Sequence, residues 1–197
     1  MNREEALELI RTRRSTRAYS QKPVENELLE QILEAGRYAP SGGNSQTTHF
    51  IVIENREVLS KLAELAAQEF SKMEVTPGMY RSMANSINRS KAGGYVFHYN
   101  APVLILTANQ ADYSNNIADC SCALENMMIM ANALDLGTCW INQLKWLNEN
   151  EIITEYLREL GLEENEKVYA SLAVGYPQAE LNRTPLMRTG NKVTRIL

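Results

Sequence analysis

The chain has 197 residues, 44% of them hydrophobic and 22% charged, with a formal net charge of −4; this suits one soluble globular domain with a sizeable core. An acidic balance with its basic charge gathered in one place excludes a general nucleic-acid surface, and no apolar stretch approaches the ~20 residues of a membrane-spanning helix. The N-terminus lacks the basic start and apolar run of a secretory leader, and the odd set Cys120, Cys122 and Cys139 suits free thiols, so the expectation is a cytoplasmic protein without a disulfide framework or a metal site.

Asn2 with Glu5 three residues on predicts a capping box for a short helix whose apolar stripe is Leu7 and Ile10. Directly after it stands Arg11-Thr12-Arg13-Arg14-Ser15-Thr16-Arg17, four arginines within seven residues. Like charges repel, so such a knot usually has an anionic partner. Guanidinium forks match phosphate oxygens, and the hydroxyls of Thr12, Ser15 and Thr16 can fill the remaining positions. The competing reading is a solvated basic turn paired with Glu4, Glu5 and Glu8.

After the break at residues 19–23, Leu28, Leu29, Ile32, Leu33 and Ala35 fall at helical spacing, and Pro40 ends that helix near Ala39. Pro40-Ser41-Gly42-Gly43-Asn44-Ser45-Gln46 is a loop of small polar residues whose backbone N–H groups can approach a ligand. It matches neither the P-loop nor the dinucleotide fingerprint. His49 to Ile53 reads as a strand, and Arg56 to Phe70 as a helix facing inward through Leu59, Leu62, Leu65 and Ala66.

Residues 71–100 have no clean period and read as a lid or substrate-selecting excursion. Pro102 to Thr107 is a continuous apolar run, as in a strand buried on both faces. Ile117 to Leu136 predicts the longest helix, apolar over most of its circumference and interrupted by Asp119, Glu125 and Asn126, with Gly137 as its left-handed cap. Such a helix lies in the middle of the domain or of a dimer, and its buried polar groups need partners. Gly137-Thr138-Cys139-Trp140-Ile141-Asn142-Gln143 follows, then a helix from Asn150 to Leu160 and a core strand from Lys167 to Val174. The tail carries Arg183, Arg188, Lys192 and Arg195, and residues 193–197 read as a terminal strand. His49 and His98 read as structural, and Cys139 as a buried, inert thiol.

At four places the chain resembles the FMN-dependent nitroreductase family. These are residues 13–19 (RRSTRAY), 39–46 (APSGGNSQ), 136–141 (LGTCWI) and 173–177 (AVGYP), in matching order and rough spacing. The resemblance covers nearly the whole chain apart from 71–100. It implies an α+β nitroreductase fold in one domain, with a central mixed β-sheet flanked by helices. It also implies an intertwined homodimer that exchanges C-terminal arms (178–197) and holds FMN at the subunit interface.

By position, Arg13 and Ser15 resemble phosphate ligands with Arg14 beside them, and Arg17 the residue at the flavin pyrimidine edge. Pro40, Ser41, Gly42 and Asn44 would come from the second subunit. Trp140, Ile141 and Asn142 resemble the stretch lying against the flavin, with a backbone donor near Asn142 and Gln143 directed at N5. By residue type alone, Trp140 and the Met127, Met128, Met130 group read as core or dimer packing ahead of cofactor contacts. Arg188, or alternatively Arg183, would close on the phosphate. The implied activity is NAD(P)H-dependent, ping-pong reduction of nitroaromatics, quinones or a similar small-molecule acceptor. A flavin store, an electron relay and other flavin chemistry, such as dehalogenation or dehydrogenation, remain as alternatives.

Overall fold

Helix α1 (Arg3–Thr12) starts at Asn2, whose side chain accepts from the Glu4 and Glu5 amides while Glu5 reaches back to the Asn2 N–H at 2.8 Å. This is the reciprocal capping box. The computed structural model describes residues 2–197. Its remaining elements, in chain order, are α2 (Asn26–Arg37), β1 (His49–Ile53), α3 (Arg56–Ser71), α4 (Arg81–Ala92), β2 (Val103–Gln110), α5 (Asn116–Ala133), β3 (Gly137–Ile141), α6 (Gln143–Trp146), α7 (Glu151–Glu159) and β4 (Glu166–Gly175).

The strands form one antiparallel sheet in the order β1-β2-β4-β3. The mixed sheet expected above is therefore antiparallel in all four strands. Its parallel component is an isolated bridge between Ser15 and Thr138, where the arginine segment runs along the open edge of β3.

Strand alternation decides which helices cover which face. Leu104 and Leu106 of β2 point with Leu59, Leu62, Phe70, Ile87 and Phe97 into one apolar cluster. Val103 and Ile105 point with Ile32, Leu33, Leu124 and Met127 into the other. In β4 the alternation flips between Val168 and Ala170, because Thr107 pairs with Ala170 and Ala108 with Val168, leaving Tyr169 as an extra residue. Each of the fully buried leucines, isoleucines and phenylalanines contributes roughly 1.5–3 kcal/mol of transfer free energy.

Four expectations change. Residues 71–100 contain the twelve-residue helix α4, packed on α3. Its inward stripe is Met83, Ser86, Ile87 and Ser90, at i, i+3, i+4 and i+7. Two serines on that stripe hide the apolar period. Gly137 does not cap α5: Asp135 takes the left-handed conformation (φ 58°), and the Leu136 N–H closes on the Ala131 carbonyl at 2.9 Å, the long hydrogen bond of a Schellman ending. Residues 193–197 form no strand and are exposed. The α1 stripe also faces outward, with Leu7 42% and Ile10 55% exposed. Among the described residues no helix is long and apolar enough to cross a membrane.

Candidate functional site

Helix α1 ends because Arg13 turns extended (φ −57°, ψ 133°), and the chain then runs beside β3. The Thr16 N–H donates to the Thr138 carbonyl at 2.7 Å, and further on the Ser20 N–H donates to Tyr176 O at 2.9 Å. The approach is close because residue 137 is glycine. A Cβ there would lie 2.6 Å from Thr16 Oγ1 and 2.8 Å from its Cβ.

Burial pushes the Cys139 thiol up, against the opposing influence of Arg17, Arg13 and Ser15. Arg14 donates to the Thr184 carbonyl. Arg17 stands 5.9 Å from the centroid of the Tyr99 ring.

Arg13 has its ion-pair partner on α5, Glu125 at 3.7 Å, rather than among the acids of α1. Its Nη1, and Nε of Arg14, are buried with no hydrogen-bond partner among the described residues. A buried, unpaired guanidinium nitrogen is costly. The cost disappears when a multiply negative group supplies acceptors, so the donor set fits a phosphate monoester.

The loop at 40–46 is built elsewhere. The Gly42 N–H donates to both Asp119 carboxylate oxygens at 3.1 and 3.2 Å, and the Tyr113 hydroxyl donates to Asp119 Oδ2 at 2.9 Å. A Cβ at residue 42 would come within 2.6 Å of that hydroxyl. Asp119 is thus the anchor of the loop. Asn126 is likewise partnered, donating to the Ala35 carbonyl at 3.1 Å. Gly43 and Asn44 are left-handed, φ 59° and 57°. These contacts run to Tyr113 and Asp119 about the start of α5, and none of them goes to the arginine segment, whose ion pair with α5 is at Glu125. Removing the anchor with Asp119→Ala is expected to lower stability by about 1–3 kcal/mol, because it leaves the Gly42 amide unpaired; a urea melt reads the change.

Residues 140–143 form the corner between β3 and α6. Trp140 is partly buried in the α5 cluster and donates through Nε1 to Asn142 Oδ1 at 2.8 Å; Met127 and Met128 are buried in the same cluster. Ile141 is buried in the opposite cluster. The Asn142 N–H already has an acceptor, Gln143 Oε1 at 3.1 Å. The Gln143 N–H, at the first position of α6, has no intrahelical partner.

In the tail, Arg183 binds the C-terminal end of α5 through Asn132 O at 3.2 Å and the Asp135 carboxylate. Arg188 and Arg195 of the tail are exposed and carry no hydrogen bond or ion pair among the described residues, so either is free to reach an anion.

The sequence reading missed Tyr99 beside Arg17 and the pair Ser86–Tyr95 behind Gln143. All three lie in the segment whose helix it did not see. The three cysteines are free, with Cys120 and Cys139 buried, and burial pushes the Cys120 thiol up to about 12. Neither is expected to react with iodoacetamide at pH 8 until the protein is unfolded, as peptide mass mapping will read. No cluster able to hold a metal occurs among the described residues.

The model of the nitroreductase family matches residues 10–176. A nitroreductase from Bacteroides fragilis, solved with bound FMN, is 34% identical, with a TM-score of 0.85 over 99% of this chain and 100% of that one. A protein of Archaeoglobus fulgidus, provisionally named NADH dehydrogenase/NAD(P)H nitroreductase, is 34% identical over 90% of this chain and 88% of its own. The nitrobenzene nitroreductase of Ectopseudomonas oleovorans is 26% identical over 88% of this chain and 87% of its own.

Proposed function

This chain belongs to the nitroreductase family, and on that premise we propose that it is an FMN-dependent oxidoreductase. In this reading it takes hydride from NADH or NADPH and passes it, in ping-pong order, to a nitroaromatic, a quinone or a similar small acceptor. The observation that carries the reading is the pair of buried, unpartnered guanidinium nitrogens on Arg13 and Arg14, in a chain similar over its length to a nitroreductase with bound FMN.

Bound FMN supplies a ring that accepts a hydride and gives it up again. The residues of this chain bind and orient. Arg13, Arg14 and Ser15 donate to the phosphate, and Arg188 closes on it from the tail. Arg17 sits at the pyrimidine edge, where a cation offsets the negative charge of the reduced ring. The main chain of Trp140, Ile141 and Asn142 would pass along the ring, and the Gln143 N–H, which has no intrahelical acceptor, would be the donor towards N5. No histidine or carboxylate is assigned a proton-transfer role.

The second half of the cleft is Pro40, Ser41, Gly42 and Asn44 of a second copy, so the working unit is a homodimer. Three observations support it: the anchoring of this loop on Tyr113 and Asp119 rather than on the arginine segment, the exposed Leu7 and Ile10 of α1, and a tail exposing Leu186, Met187, Val193, Ile196 and Leu197. Free buried thiols suit a cytoplasmic setting.

Purified protein is expected to be yellow, to bleach anaerobically with NADH or NADPH, and to recover its colour when a nitroaromatic or quinone is added. A colourless protein that takes up no FMN contradicts the reading. A yellow protein inert to both nicotinamides points instead to flavin storage.

A further inference from the structure

Behind the corner at residues 140–143 lies a closed hydrogen-bond network whose every direction is fixed. Gln143 is 8% exposed and uses its whole carboxamide. Nε2 donates to the Tyr95 hydroxyl at 2.8 Å and to Ser86 Oγ at 3.1 Å, while Oε1 accepts from the Asn142 N–H. Ser86 Oγ donates to the Ser82 carbonyl of its own helix at 3.1 Å. Having spent its one proton, it accepts from Tyr95, 3.0 Å away. Turning the carboxamide over would set an NH2 group against the Asn142 N–H, donor against donor. The amide therefore has one orientation. Burial raises the Tyr95 phenol pKa, so the ring keeps its proton, and the Arg89 guanidinium lies 5.1 Å from its centroid.

We infer that Gln143 is a positioning residue. It fixes the main chain of Asn142 and Gln143 against the flavin, and Ser86 of α4 together with Tyr95 just beyond it holds Gln143 in place. The inference rests on the proposed placement of residues 140–143 at the flavin ring. It gives the segment 71–100 a second task besides facing the acceptor, because the environment of N5 is then set partly from α4. A main-chain donor acts on N5 only if its direction is held, and the atom holding the Asn142 amide, Gln143 Oε1, is itself held by two hydroxyls.

The test uses FMN-loaded protein and three variants: Tyr95→Phe, Gln143→Leu and the double. The readouts are flavin content, the visible spectrum and the midpoint potential against a reference dye. In Tyr95→Phe flavin content is expected to stay at the wild-type level, because this substitution touches neither the phosphate donors nor residues 140–143. The equilibrium for two-electron reduction is expected to shift three- to tenfold in each single variant, ~15–30 mV. The double variant should shift no further than Gln143→Leu alone, since both substitutions break one chain of contacts. Potentials within twofold of wild type, or shifts that add in the double variant, overturn the inference. If Gln143→Leu does not fold, Tyr95→Phe decides, because it keeps the packed ring. A wild-type protein that binds no FMN overturns the functional reading itself, and is thereby told apart from failure of this network.

Discussion

Arg13→Ala is expected to weaken FMN binding roughly ten- to a hundredfold, which corresponds to the ~1.5–3 kcal/mol of a hydrogen bond to a charged group. The side chain leaves the extended segment after α1, its Nη1 is buried without a partner among the described residues, and its ion-pair contact there, to Glu125, is a long 3.7 Å. Little in the folded chain is lost with it, so the flavin-free variant should melt close to the flavin-free wild type. Removing a cation from a cluster that also holds Arg14 and Arg17 can even relieve repulsion. Equilibrium titration with FMN, beside thermal melts of both flavin-free proteins, separates a lost ligand from a lost fold. Near-normal affinity in the variant would place the phosphate elsewhere.

Gly137→Ala is expected to damage stability and flavin binding together. The added methyl would stand 2.6–2.8 Å from Thr16 Oγ1, Cβ and Cγ2. Thr16 is β-branched and tied to Thr138 through its backbone, so it cannot swing away cheaply. Overpacking of this kind costs about 1–3 kcal/mol, which for a chain of this size lowers the melting temperature by roughly 2–12 °C. The arginine segment must also move off β3, carrying Arg13 and Ser15 with it. Calorimetry and flavin content should therefore fall together. A variant that melts and binds like wild type would mean that the segment does not lie against this edge.

What the sequence made legible followed from strong local signals. The capping box of Asn2 and Glu5 set the start of α1, and the bounds of β1 followed from a β-branched run after a polar loop. Buried polar residues on α5 were expected to need partners, and Asp119, which is buried, found one in the Gly42 amide; Asn126 and Glu125, only partly buried, pair with Ala35 and Arg13. Helix α4 was invisible for a physical reason. Two of its inward positions are serines, which pack and hydrogen-bond without adding hydrophobicity. Gly137 misled because glycine serves two purposes, left-handed caps and close approach, and only tertiary packing tells them apart. β3 escaped notice because its residues follow a helix end without a turn signal. The supporting contacts of the site, Tyr99 on Arg17 and Tyr95 on Gln143, join residues more than forty positions apart, beyond the reach of any local pattern.

The account stands or falls on whether clustered arginines of this chain hold one FMN in a cleft that two copies complete. Titrating flavin-free protein with FMN while sedimentation reports its mass tests this most directly. The account predicts saturation at one FMN per chain on a species of twice the chain mass. A monomer that binds FMN at full affinity, or a dimer that binds none, would contradict it.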